Sequence, residues 1–230
     1  MSFTRAVSTT AGLVVGGLLA VRALAVLGWG LRSGEATQIL PGDGIINLAA
    51  QQLTHAVDVA APREEVWSWI VQAGYDRAGW YTPRWVDTYL WRVDNPSIDY
   101  VDPNLQHLEV GEVILDGPPG TAVFTVMDIK EGRTLVLHSL RHPITGIPPN
   151  LAAVRPGPYL DFSWVFHIEE SGPDQTRLLL RTRGIAHTGK SARLVGWLLW
   201  PTIDYLMARW MLIGIRSRAE AAAALETSHR

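Results

Sequence analysis

Between Ala60 and Trp85 a strand gives way to a helix, and the helix to an aromatic-rich connection. No other stretch constrains the fold as much. Pro62 suits the first position of a helix, where its missing N–H costs nothing. Glu64 and Glu65 fall in the first turn, where negative charge complements the helix dipole. Val66, Trp69, Ile70 and Ala73 recur at helical spacing, and Gly74 supplies a left-handed stop. So short a helix holds only if its stripe lies on an apolar surface. Just before it, Leu53 to Ala60 alternates as a half-buried strand does. Just after it, Tyr75 to Tyr100 carries Trp80, Tyr81, Trp85, Tyr89 and Trp91, with a short helix expected after Pro83.

The apolar surface comes from the strands that follow. Glu112 to Leu115 and Thr121 to Ile129 read as two strands joined at Gly117-Pro118-Pro119-Gly120, and Thr134 to Leu140 as a third. Leu160, Phe162, Trp164, Phe166 and Ile168 share one face of Tyr159 to Ile168. Gly172-Pro173-Asp174 turns that strand into Thr176 to Gly184. There Leu178, Leu180 and Thr182 face one way, and Arg177, Leu179, Arg181 and Arg183 the other. Arg141 to Pro158, rich in proline and glycine, is expected to be a long loop serving as lid or rim. Ser191 to Glu226 is one long helical pattern, bent or restarted at Pro201. Ile203, Leu206, Met207, Trp210, Ile213 and Gly214 form its stripe. Leu194 to Ile215 is long enough to span a bilayer, but Pro201, Asp204 and Arg209 favour a soluble amphipathic helix.

Ala11 to Leu31 is apolar except for Arg22, close to the ~20 residues of a spanning helix. Three readings are open. A retained anchor is the expectation. A cleaved signal would use Arg5, Gly12 to Val21 and Ala23-Leu24-Ala25. A buried helix would have Arg22 as its polar face. The expected limits are an anchor over 1–32, a linker over 33–52 and a domain over 53–226. The amino-terminal charge favours a domain on the extracytoplasmic side. A hydrophobic fraction of 47% fits either a membrane segment or a large apolar interior. The net charge of -2 gives no field to draw nucleic acid. With no cysteine, disulfides and thiol chemistry are excluded. Nucleophile-elbow, phosphate-loop and dinucleotide fingerprints are missing. His138 and His142 lack the helix that their spacing would need to bind metal. Asp94, Asp99 and Asp102 lack the glycine and terminal Glu of a calcium loop. No metal or cofactor is expected.

The order of strand, helix, aromatic connection, antiparallel strands and long final helix resembles the helix-grip fold of the START-like (SRPBCC) superfamily. Within it, the chain resembles a membrane-anchored, polyketide-cyclase/dehydrase-like branch. The resemblance rests on Leu40-Pro41-Gly42-Asp43, Ala61-Pro62-x-x-x-Val66-Trp67-x-Trp69 and Gln72-x-Gly74-x-x-Arg77-Ala78-Gly79-Trp80-Tyr81. It continues with Leu105-Gln106-x-Leu108-x-Val110-Gly111, Ser163-Trp164-x-Phe166, Thr176-Arg177-Leu178 and Met211-Leu212-x-Gly214-Ile215-x-x-Arg218-Ala219-Glu220.

The resemblance implies an α+β domain in which a curved antiparallel sheet wraps the C-terminal helix around an apolar cavity. Binding or transport of a hydrophobic small molecule, a lipid or polyketide-like compound, is the function it implies. A cyclase or dehydrase is the alternative, and a ligand-free interaction module at the membrane the next. No catalytic residue is general to the superfamily. Candidate cavity residues are Trp80, Tyr81, Trp85, His138, Phe162, Trp164, Phe166, Arg181, Tyr205, Met207 and Trp210. Gln72 and Arg77 are candidates for a polar network that either fixes the aromatic connection to the sheet or lines the mouth of the cavity. Arg181 has a second reading, on the outer face of the sheet. An enzyme would draw its acid or base from His138, Asp161, His167, Tyr205 or Arg181.

Overall fold

The computed structural model describes residues 16–91 and 97–228 of the chain. Six strands form one antiparallel sheet: β1 (Gln51–Val59), β2 (Val113–Leu115), β3 (Val123–Lys130), β4 (Thr134–Arg141), β5 (Tyr159–Gly172) and β6 (Gln175–His187). Their order is β1-β6-β5-β4-β3-β2, so the first two strands stand at opposite ends. The chain between them must therefore cross the whole sheet. It does so as helix α2 (Arg63–Val71) and the aromatic connection. Residues 16–27 form helix α1, and Lys190–Ser228 the long helix α3. An antiparallel sheet backed by a long C-terminal helix is the helix-grip α+β arrangement the sequence predicts.

Alternation decides the two faces of the sheet. On the inner face, Leu135, Leu137, Phe162, Trp164, Phe166, Leu178 and Leu180 meet Val66, Trp69 and Ile70 of α2, and Met211, Leu212 and Ile215 of α3, in one core. α3 reaches that core rotated from the predicted stripe. Ala208, Met211, Leu212, Ile215 and Ala219 are buried, while Leu206 and Ile213 face outward and Ile203 is exposed at the cavity described below. The cause is close approach. A Cβ on Gly214 would stand 2.1 Å from the Tyr81 carbonyl oxygen, so Ala208, Gly214 and Ala219 let the helix come close on the side that Met211, Leu212 and Ile215 fill.

The outer face is covered too. Residues 28–50, which include all but the last two residues of the segment read as a linker, lie against it as a strap; Gln51 and Gln52 begin β1. Leu40 and Ile45 pack on Val136 and Val165 there. Arg177, Arg181 and Arg183 hold the strap by its carbonyls. Fully buried Arg181 donates to Thr54 Oγ1 (3.0 Å), the Gln38 and Glu35 carbonyls (2.7 and 2.8 Å) and Asp43 Oδ2 (2.8 Å). Arg177 grips Glu35 bidentately at 2.8 and 2.6 Å and also donates to the Gly30 carbonyl at 2.6 Å. Burial alone would raise the Glu35 carboxyl. Hydrogen bonds from Arg177 and the Arg32 N–H, with the charge on Arg177, hold it below the usual carboxylate value.

Among the described residues no helix is long and apolar enough to cross a membrane. Residues 1–15 of the predicted anchor lie outside them. In the described part, Ala25 is buried and Arg22 faces α3. Pro201 has no N–H for the Trp197 carbonyl four residues back. Arg22 Nε fills that place at 3.1 Å, with its guanidinium 3.7 Å from the centre of the Trp197 ring.

Candidate functional site

A cavity of about 500 Å³ opens between the inner face of the sheet, α3 and the aromatic connection. Phe162 and Trp164 from β5, Trp80 from the connection, and Trp200, Ile203 and Met207 from α3 give it a mainly apolar wall. The rings meet edge to face: Trp80 with Trp164 at 5.5 Å, and Phe162 with Trp200 at 5.1 Å. The turn 143–146, at the start of the predicted long loop, lines the cavity too. It is closed by bonds between His142 N and the Ile147 carbonyl, and between Gly146 N and the His142 carbonyl. Ile144 stands exposed on it, as on a rim.

Four charged side chains interrupt the apolar wall. Arg141 follows Leu137 and Ser139 on the inner side of β4. Its guanidinium lies 4.9 and 4.7 Å from the ring centres of Phe124 and Phe162. It pairs with Asp116 and donates to Ser139 Oγ at 2.8 Å. Burial pushes the Asp116 carboxyl above its usual value, against the pull of Arg141. Asp204, in the first full turn after Pro201, meets Nε2 of buried His55 at 3.2 Å. Nδ1 of the same ring accepts the Trp29 N–H at 3.0 Å. A ring that accepts at Nδ1 carries its proton on Nε2, so His55 is neutral and donates to Asp204. Asp87 sits in a single π-helical turn, Val86–Trp91, a departure from regular helix frequent at functional sites. One of its oxygens accepts from the Thr82 hydroxyl. The other is buried with no partner among the described residues, as is the indole N–H of Trp80.

Of the predicted cavity residues, Trp80, Phe162, Trp164 and Met207 line the space. Phe166 is on the predicted face but deeper, within the packed core. Tyr81 lies behind the wall. Its hydroxyl donates to the Trp69 carbonyl at 2.8 Å, burial pushes that phenol up, and its backbone holds a left-handed φ of 58°. Trp85 and Trp210 pack on each other away from the cavity. Tyr205 is turned to the edge of the His55 ring.

His138 and Arg181 belong to the outer face, because their positions alternate out of phase with Phe162 and Trp164. His138 pairs there with Asp161 at 2.8 Å. His167 is on that face as well, bonded to Thr134 Oγ1 at 2.9 Å. Gln72 and Arg77 do not form the mouth. Gln72 binds the Tyr100 carbonyl and Asp102 N, and Arg77 the Leu105 carbonyl at 2.7 Å, so both fasten the connection to α2. Among the described residues no group of His, Asp and Glu could hold a metal ion.

The charged wall residues are absent from the predicted set, yet strand phase offered a signal. His55 alternates with Leu53 and Val57, and Arg141 with Leu137, so both stand where an apolar residue is the rule. Asp87 and Asp116 sit outside regular strands and leave no such mark.

No family model matches the sequence, and no curated protein does. Among solved structures, the chain is similar to protein CV1439 from Chromobacterium violaceum, at 14% identity, covering 74% of this chain and 96% of that one with a TM-score of 0.42. It is similar to norcoclaurine synthase from Thalictrum flavum at 12% identity, over 81% of this chain and 95% of the other, with a TM-score of 0.44. The Aha1 dimer from Colwellia psychrerythraea gives 12% identity, 74% and 96% coverage, and a TM-score of 0.40. Likeness at this level says nothing about what the present chain binds or does. The assignment to a helix-grip architecture rests on its own strand order and long final helix.

Proposed function

We propose that the chain binds a hydrophobic small molecule, a lipid or polyketide-like compound, in the cavity between the sheet and α3. The observation that carries this is the cavity itself. Its volume of about 500 Å³ lies in the range of small-molecule sites, and its wall combines aromatic surface with a few placed polar groups. In this reading the apolar residues 11–27, ahead of the strap, tether the domain to a membrane. Native mass spectrometry of detergent-extracted protein, with organic extraction of the same sample, tests the reading. A bound small molecule is expected. Empty protein that takes up nothing from a panel of lipids would overturn it.

A second reading is a cyclase- or dehydrase-type enzyme. It draws support from two titratable pairs at the cavity, Asp116 with Arg141 on the wall and Asp204 on the wall with His55 buried behind it. In that case Asp204 would act as the base, with His55 holding its orientation.

A further inference from the structure

The polar groups of the cavity wall are unevenly charged. Among the described lining residues Asp87, Asp116 and Asp204 are acidic, and Arg141 is the one cation. Arg141 is engaged already, with Asp116, Ser139 Oγ and the Val123 carbonyl, and between two aromatic rings. It has little to offer an anionic ligand. Asp116 is balanced by it. Asp204 is not balanced by its own partner, because the Trp29 N–H at Nδ1 keeps His55 neutral. Asp87, 5% exposed, has only the Thr82 hydroxyl on one oxygen, and its second oxygen is buried and unpartnered among the described residues. A carboxylate oxygen withdrawn from water without a partner is costly. The surrounding wall is Trp80, Phe162, Trp164 and Trp200, and aromatic faces attract organic cations.

We infer that the ligand carries a positive charge: an ammonium group on an apolar body, with the charged head at Asp87 and Asp204 and the body against the tryptophans. The inference rests on the cavity being a ligand site, and it goes further by fixing the sign of the ligand's head group. A neutral alcohol would satisfy the Asp87 oxygen but leave the excess negative charge. A carboxylate would add to it.

The test uses three probes with one ring system: 2-(1-naphthyl)ethylamine, 2-(1-naphthyl)ethanol and 1-naphthylacetate. Each is titrated into the full chain by calorimetry at pH 7. The amine is expected to bind at least tenfold more tightly than either of the others. Asp87→Asn is expected to remove most of that preference while leaving the alcohol within about twofold. Asp204→Asn provides a second variant, and circular dichroism shows that each variant is folded. An alcohol that binds as well as the amine, or a carboxylate that binds better, overturns the charge assignment and leaves the cavity as a ligand site. The wild-type comparison alone decides this if both variants fail to fold. Binding by none of the three probes overturns the ligand-site reading, and the charge assignment with it.

Discussion

Two residues show how little of this molecule tolerates substitution by shape or charge alone. Gly214 lies in α3 where the helix meets the carbonyl of Tyr81, and an added methyl would sit 2.1 Å from that oxygen. Both sides are backbone, so neither can rotate away. Gly214→Ala is expected to cost about 1–3 kcal/mol, read as a lower urea midpoint with unchanged slope. Arg181 is the opposite case, a buried charge whose removal takes the Gln38 and Glu35 carbonyls' donor and leaves Asp43 only the Leu40 N–H, with no cation. Arg181→Met is expected to cost about 3–5 kcal/mol. Because Arg181 faces away from the cavity, ligand affinity measured on the folded fraction should not change. A fall in affinity at constant stability would contradict its place on the outer face.

At the scale of elements, Pro201 and Arg22 are joined by one carbonyl. Proline withholds the N–H that would close the helix onto Trp197, and Arg22 of α1 supplies a donor instead. The two substitutions should therefore be coupled. Arg22→Ala is expected to cost about 1 kcal/mol in the natural sequence. It should cost less beside Pro201→Ala, where residue 201 has its own N–H. A double-mutant cycle on thermal stability measures the difference, and strict additivity would show that the bond contributes nothing.

The same scale shows what sequence could and could not reveal. α2, the β5 aromatic face and the alternation of β6 were legible, because period and burial coincide in them. The rotation of α3 was not, because Ala208 and Ala219 on its packed side are small and read as weakly hydrophobic, although Gly214 was in the expected stripe. The strap was not legible either. Besides Leu40, Ile45, Glu35 and Asp43, its contacts with the sheet run through its own carbonyls to the three arginines, and a carbonyl has no signature in a sequence. Within the site, Phe162 and Trp164 followed from strand phase, Trp80 from its motif and Met207 from the helical stripe. His138 and Arg181 did not belong there, although the phase that places them outside was already visible.

At the scale of the whole molecule, one face of the sheet bears the cavity and the other the strap. The start of the strap touches something further. A Cβ on Gly30, which holds φ +70°, would meet the Ala56 carbonyl at 2.2 Å, and the Ala56 N–H donates to the Trp29 carbonyl at 2.9 Å. The backbone of 28–30 thus occupies the outer hydrogen-bonding side of β1, the terminal strand of the sheet. A chain shortened to begin at residue 33 would keep the core but expose that row of groups. Unpaired strand edges recruit other strands. Such a chain is expected to self-associate, seen as concentration-dependent growth in mass by light scattering, where the full chain at equal detergent does not grow. Trp29 and its two flanking glycines would then serve as a guard against sheet-to-sheet polymerisation, a task distinct from tethering the domain or shaping its cavity.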